Sequence, residues 1–416
     1  MSQGVLQNTE VLQACPRAAA PGPRARGLGR RVVRNRSPLA DDGSRSGARR
    51  LSPRIPRLRR RPWDAVLTMS LLALLATSCS TPEGVSPRER SRLSLIRDER
   101  PGHARIDGVG PIRGFARGRD NTFTHCLELV LEATGRPIGY DELMGLGGMA
   151  FRIQFRTDQW DVGNPDPLVG ENCLPTLFAA VGWEYEPWVV RMQELAEVNA
   201  LRRVVNESVD HLIPVLAANL IPPEDWGIIV GYRPDKTWLC RSYNGGADRI
   251  DQPAKAWPTA VVVLTKCLPR PDPVKAHADS IRRAVALFDK RSSGSYSLGQ
   301  KAFDDWCQNL KTVKNEKYVH ANFWTYIGLI DARAAAVRYL RTIASEFGPK
   351  EQYLNLAAER YNKEVELLLK GLSDVPPAAT FPDAPPPREM RDRQINVLLQ
   401  AQALEREAMD ALRKAL

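Results

Sequence analysis

Histidine is scarce in this chain, five residues in 416, and cysteine is only slightly commoner at seven. Setting Cys15 and Cys79 aside, Cys126, Cys173, Cys240, Cys267 and Cys307 are scattered and match no metal-ligand spacing, which argues against structural zinc. Their odd number leaves at least one thiol unpaired. Gly147-Gly148 is a lone glycine pair with no G-x-x-x-x-G-K-[ST] around it, so a phosphate loop is excluded. No metal or cofactor is expected. A basic face is lacking too, although the net charge is +11. Residues 1–62 hold 15 arginines and no lysine against Glu10, Asp41 and Asp42, so the chain beyond them is close to neutral. Nucleic acid is therefore not the expected partner. No internal repeat is evident.

Residues 1–56 are rich in Arg, Pro, Gly, Ala and Ser without helical or strand period, and cannot bury enough apolar surface to offset chain entropy. They are expected to be a disordered leader, or upstream sequence translated from too early a start. Residues 57–79 follow the layout of an export signal. A basic cluster from Arg57 to Arg61 precedes an apolar run from Ala65 to Ala76, which is too short for a permanent membrane span. Ala76-Thr77-Ser78-Cys79 resembles a bacterial lipobox, which implies lipidation at Cys79. An export signal this far from Met1 suggests a true start nearer Leu58. The expected product is exported and held by its lipid on a bacterial membrane, facing the periplasm or the exterior.

Residues 80–114 are polar and Arg-rich and are expected to be a tether. Organisation begins with Phe123, Cys126, Leu127, Val130 and Leu131 at helical spacing, ended by Gly135 and Pro137. "YDELMGLGG" predicts a short helix, "AFRIQFRTDQWDV" a strand and "WEYEPWVV" another. "ENCLPTLFAAVG" predicts a helix with Pro175 in its first turn and Gly182 at its end. A polar-faced helix over about 191–207 leads to four strand-like runs, "IPVLAANL", "WGIIVGYRP", "TWLCRSYNGG" and "TAVVVLTKC", separated by turn residues. Helices first and a mostly antiparallel sheet later is an α+β pattern, expected over 115–268. An α-helical domain is expected over 273–372, then a Pro-rich linker over 373–387 and a last helix over 388–416. Trp160, Trp183, Trp188, Trp226 and Trp238 are read mainly as core, and Asn244-Gly245-Gly246 as a turn.

"THCLELVLEATGRPIGYDELMGLGGMAFR" together with "IPVLAANLIPPEDWGIIVGY" resembles the N-terminal domain of the butirosin biosynthesis protein H family. Similarity also extends to the papain-like fold of bacteriocin-processing cysteine peptidases. "AFDDWCQNL" and "ARAAAVRYLRTIASEF" resemble the helical tail of uncharacterised relatives. The resemblance spans about 120–347 and implies a papain-like domain with thiol chemistry, either peptide hydrolysis or acyl transfer through a thioester. It places the nucleophile at Cys126. It places the base six residues before Gly231, where this chain has Asp225, and the acidic partner near Arg241 or Ser242. No histidine lies between His211 and His277.

Two readings of Cys126 stay open: a small apolar core residue, or a thiol whose pKa is lowered by helix-start amides. In the enzyme reading Asn121 adds an amide donor beside the oxyanion. His125, about 100° round the helix, is read as an exposed first-turn residue, and His211 as a loop histidine. Asp225 is a poor base for a thiol of ordinary pKa. The missing histidine favours a degenerate domain that binds an acyl, peptide or small-molecule ligand without turnover. The alternative is an active thiol acyltransferase or hydrolase. A third reading makes the helical tail a partner-docking or oligomerising surface, the oligomeric state being open.

Overall fold

The computed structural model describes residues 93–97, 102–113, 115, 117–190, 195–245, 251–313, 317–377 and 385–416. The leader, the export signal and Cys79 lie outside the described residues.

The described part of the chain is α+β, with every strand pair antiparallel among the described residues. The main sheet runs β1 (Ser94–Ile96), β2 (Ala104–Asp107), β6 (Trp226–Tyr232), β5 (Val215–Ala218), β9 (Ala260–Cys267), β4 (Trp183–Val189). β7 (Trp238–Ser242) lies along the other side of β6 and carries β8 (Gln252–Pro253). "WGIIVGY" reads as an almost unbroken apolar run because β6 is central. β7 flanks one side, and β5 followed by β2 flanks the other. Six of its seven residues are buried. Gly231 stands where three strands crowd: a Cβ there would come within 2.5 Å of the Ala104 carbonyl oxygen.

The tether expected over 80–114 is corrected in its second half. "ARID" alternates in burial, Ala104 and Ile106 facing the core, and the strand completes the sheet against β6. Four residues this short, amid arginines and glycines, give little pattern; their pairing comes from the partner strand. The strand expected from "AFRIQFRTDQWDV" shrinks to β3 (Gln154–Arg156). It joins β10 (Ser292–Ser293) and β11 (Tyr296–Leu298) in a separate small sheet.

α1 (Thr122–Ala133) lays Phe123, Cys126, Leu127, Val130 and Leu131 against the main sheet, all with no exposed surface. α2 (Tyr140–Leu146) follows. α3 (Leu174–Val181) carries Pro175 in its first turn and ends on Gly182, whose φ of 73° is the left-handed cap that favours glycine. The polar-faced helix is α4 (Leu195–Asp210).

After 268 the chain is nearly all helix: α5 (Pro273–Asp289), α6 (Gly299–Thr312), α7 (Lys317–Ile343), α8 (Glu351–Gly371) and α9 (Arg388–Ala415). These helices share a core with the sheet. Ile281, Ala284, Ala336, Leu340, Tyr361, Met409 and Leu412 belong to the same buried cluster as Val130, Ile228 and Val262. A second cluster joins Phe155 of β3 to Phe303, Trp306, Tyr326 and Leu398. Ile395, Leu398, Met409 and Leu412 of α9 are thus covered inside their own chain, while Leu399 stays exposed. No described helix is long and apolar enough to cross a membrane.

Candidate functional site

A cleft of about 420 Å³ opens at the N-terminus of α1, between the sheet half of the chain and α7. Asn121, Thr122 and Phe123 line one side and Pro223 to Trp226 another. Residues 161–167 form a wall, and α7 contributes His320, Trp324, Thr325 and Gly328. Phe115 and Trp324 meet at 5.0 Å between ring centroids, and Phe123 sits edge-on to Trp226 at 4.9 Å.

The cleft's shape follows from local hydrogen bonding. Asn121 is the N-cap of α1, its Oδ1 accepting from Thr124 N at 3.1 Å, while its Nδ2 donates to the Pro165 carbonyl at 3.2 Å. Arg152 donates to the carbonyls of Glu171 and Asp166 at 2.7 Å each and of Pro165 at 3.0 Å. One guanidinium thereby gathers a loop that has no ladder of its own. Gln154 adds bonds to the Asn164 and Val169 carbonyls at 2.9 and 2.8 Å. The Thr122 hydroxyl donates to Asp225 Oδ1, which also accepts from Trp226 N at 2.8 Å. Asp166 accepts from Leu168 N and from the Trp226 indole, each at 2.7 Å. Burial pushes the Asp225 carboxyl up to about 6, with the charges of Asp166 and Glu224 adding to it. Burial raises Asp166 and Glu224 as well.

Of the two readings left open for Cys126, the small apolar core residue is the one its burial fits. Thr122 and not Cys126 opens the helix, so the first-turn amides outside the helical ladder belong to residues 122–124, and Cys126 lies a turn deeper. Its side chain has no exposed surface and it does not line the cleft. Burial, reinforced by the Asp225 charge, pushes the thiol well above its ordinary range. Asn121 lines the cleft; its Oδ1 is used by the cap and one Nδ2 proton by the Pro165 carbonyl. His125 is buried, not exposed. Its Nε2 accepts from Arg113 N at 3.3 Å, and its Nδ1 lies 2.8 Å from Glu128. Burial alone would raise Glu128, but His125 and Arg119 bring it down to about 2. His211 is exposed and bonded to the Glu207 carbonyl, away from the cleft. Asp225 does reach the cleft, beside the start of α1.

Arg241, at the position where an acidic partner is implied, is buried on Asp251 at 3.0 Å. Trp183, Trp226 and Trp238 are core residues, Trp226 also lining the cleft. Among the described cysteines all are free thiols. No group of three or more His, Cys, Asp or Glu is placed to hold a metal ion among the described residues. Asn164, Asp166, Glu224, His320 and Trp324 escaped the sequence reading. One signal was present: residues 157–172 form a long loop carrying "NPDP", and long loops within compact domains are commonly functional. No protein-family model and no curated protein sequence matches the chain.

Proposed function

We propose that the chain is an exported, lipid-anchored binding protein. Its papain-like domain has lost thiol chemistry and holds an acyl, peptide or small-molecule ligand in the cleft at the start of α1. The observation that carries this reading is the separation of sulfur from cleft: Thr122 and Asp225 face the open space while Cys126 is sealed behind them. A thiolate needs a lowered pKa and access, and burial removes both. The carboxylate at Asp225 replaces the imidazole that the resemblance implies, and accepts hydrogen bonds from a ligand or a neighbour without a proton to pass to a leaving group when ionised. Lipidation at Cys79 is part of the proposal; replacing Cys79 with Ser then releases the protein from the membrane fraction.

Iodoacetamide mapping by mass spectrometry tests the loss of thiol chemistry. In the folded protein the exposed Cys267 reacts and Cys126 stays unmodified until denaturant is added. In parallel, Cys126→Ala complements a deletion strain as the parent does. Rapid alkylation of Cys126 in the folded state, or failure of a well-folded Cys126→Ala protein to complement, returns the domain to the enzymes.

A further inference from the structure

The buried polar atom left unpaired among the described residues of the cleft lining is an acceptor. Asn164 is buried to 3% exposure, and its Nδ2 donates to Thr325 Oγ1 at 3.1 Å, while its Oδ1 has no partner. A buried acceptor left empty costs about 1–3 kcal/mol. Asp166, beside it in the wall, and Asp225, on the neighbouring side of the cleft, accept only from neutral donors, the Trp226 and Leu168 groups and the Thr122 hydroxyl. The cations nearby are spoken for or absent. Arg152 directs its hydrogen bonds at backbone carbonyls and the Cys173 sulfur, and only its field reaches the Asp166 carboxylate. The Asp161 carboxylate already has Arg156 at 3.4 Å and the Tyr296 hydroxyl at 2.6 Å. His320 is held toward its neutral form by burial.

Resting on the ligand-binding reading above, we infer that the cleft takes an organic cation. Its protonated amine donates to Asn164 Oδ1 and the carboxylates of Asp166 and Asp225, and its apolar body lies against Phe115 and Trp324. An ammonium supplies donors without an acceptor, which matches the empty capacity, and aromatic faces beside it favour a cation further. An anionic ligand meets the carboxylates of Asp166, Glu224 and Asp225, none of them in an ion pair, and no free guanidinium among the described lining residues. A neutral alcohol satisfies Asn164 but leaves the carboxylates without a counter-charge.

The test is saturation-transfer NMR and tryptophan fluorescence on the full chain with three probes of one shape: benzylamine, benzyl alcohol and benzoate. Benzylamine is expected to bind, and the other two at least about tenfold more weakly, since a hydrogen bond to a charged group is worth about 1.5–3 kcal/mol. Asp225→Asn, which keeps the oxygen facing Thr122, and Asn164→Leu are each expected to weaken benzylamine about tenfold or more. Both variants are to be checked for parental melting behaviour, and Asp166→Asn serves if Asn164→Leu does not fold. Benzyl alcohol or benzoate binding as tightly as benzylamine, with the Asp225 variant affecting it, keeps the cleft and overturns the cationic class. Benzylamine binding that ignores all three substitutions places it elsewhere and overturns the site. Absence of binding by all three probes overturns the ligand-binding reading together with this one.

Discussion

Asp225 sits at the start of β6 with its carboxylate turned to Thr122, where water is largely excluded. Every titratable neighbour named by its field is acidic or neutral: Asp166 and Glu224 beside it, and Cys126 and Tyr243, whose protons its charge helps to hold. Its folded pKa of about 6 stands above the ordinary 3.8. The native state therefore binds more protons than the unfolded chain in between. The associated stability is fully present below pH 3.8, is lost as pH rises through about 6, and stays lost above. Asp225→Asn removes this loss while keeping an acceptor for Thr122. Thermal melts are expected to show parent and variant alike near pH 4, and the variant a few degrees more stable at pH 7.5. A parent that outlasts the variant at pH 7.5 contradicts the assignment. The position of Asp225 was legible in the sequence, by counting back from Gly231. Its partner was not, because Thr122 lies 103 residues away and only the packing of α1 on β6 brings them together.

Among the elements, α1 and β6 were the most legible, since each has a clean pattern: helical spacing ended by Gly135 and Pro137, and a short unbroken apolar run. What periodicity could not give was the start of α1. Asn121, Thr122 and Thr124 all offer capping oxygens. The choice of Asn121 is made by the Pro165 carbonyl, which takes its amide, and by the Tyr140 hydroxyl, 2.9 Å from its backbone N. That choice moves Cys126 from the first turn into the core. β2 was invisible for a related reason. Its four residues gain their stability from β6, and the sequence trace of the pairing is Gly231, where a side chain would strike the Ala104 carbonyl. Gly231→Ala is expected to destabilise the protein by about 1–3 kcal/mol, as overpacking does, read from urea unfolding. A chain in which 80–114 is merely a tether would tolerate the change.

In the whole molecule the later helices are not an appendage. Arg333 of α7, with no exposed surface, donates to the Ala150 carbonyl at 2.8 Å, pairs with Glu405 of α9 and lies 3.7 Å from Glu364 of α8. One guanidinium serves two carboxylates. Burial and the neighbouring Glu405 charge push Glu364 well above the ordinary range, against the pull of Arg333, and so favour its protonated form. Arg333→Met leaves a buried carboxylate without its counter-charge and is expected to cost about 3–5 kcal/mol. Glu364→Gln, which mimics the protonated form, is expected to change stability by no more than about 1 kcal/mol. Chemical denaturation of both variants checks this, and equal losses would refute the charge assignment. The same packing bears on the idea of the tail as a docking surface. Ile395, Leu398, Met409 and Leu412 are already covered by the chain's own cores.

The sequence by itself determined the α+β class and most of the helices and long strands, because periodicity and turn residues act within a few positions. The expectation of an export signal and of lipidation at Cys79 also rests on local order alone. The tertiary structure decided which side chains face the cleft. A loop gathered by Arg152, a helix start chosen by Asn121 and a long helix laid across both turned Asn164, Asp166 and Asp225 toward one space and closed Cys126 out of it. Such a site is assembled from residues far apart in the chain. The free energy that places them is the burial of their neighbours, and that is a property of the folded whole.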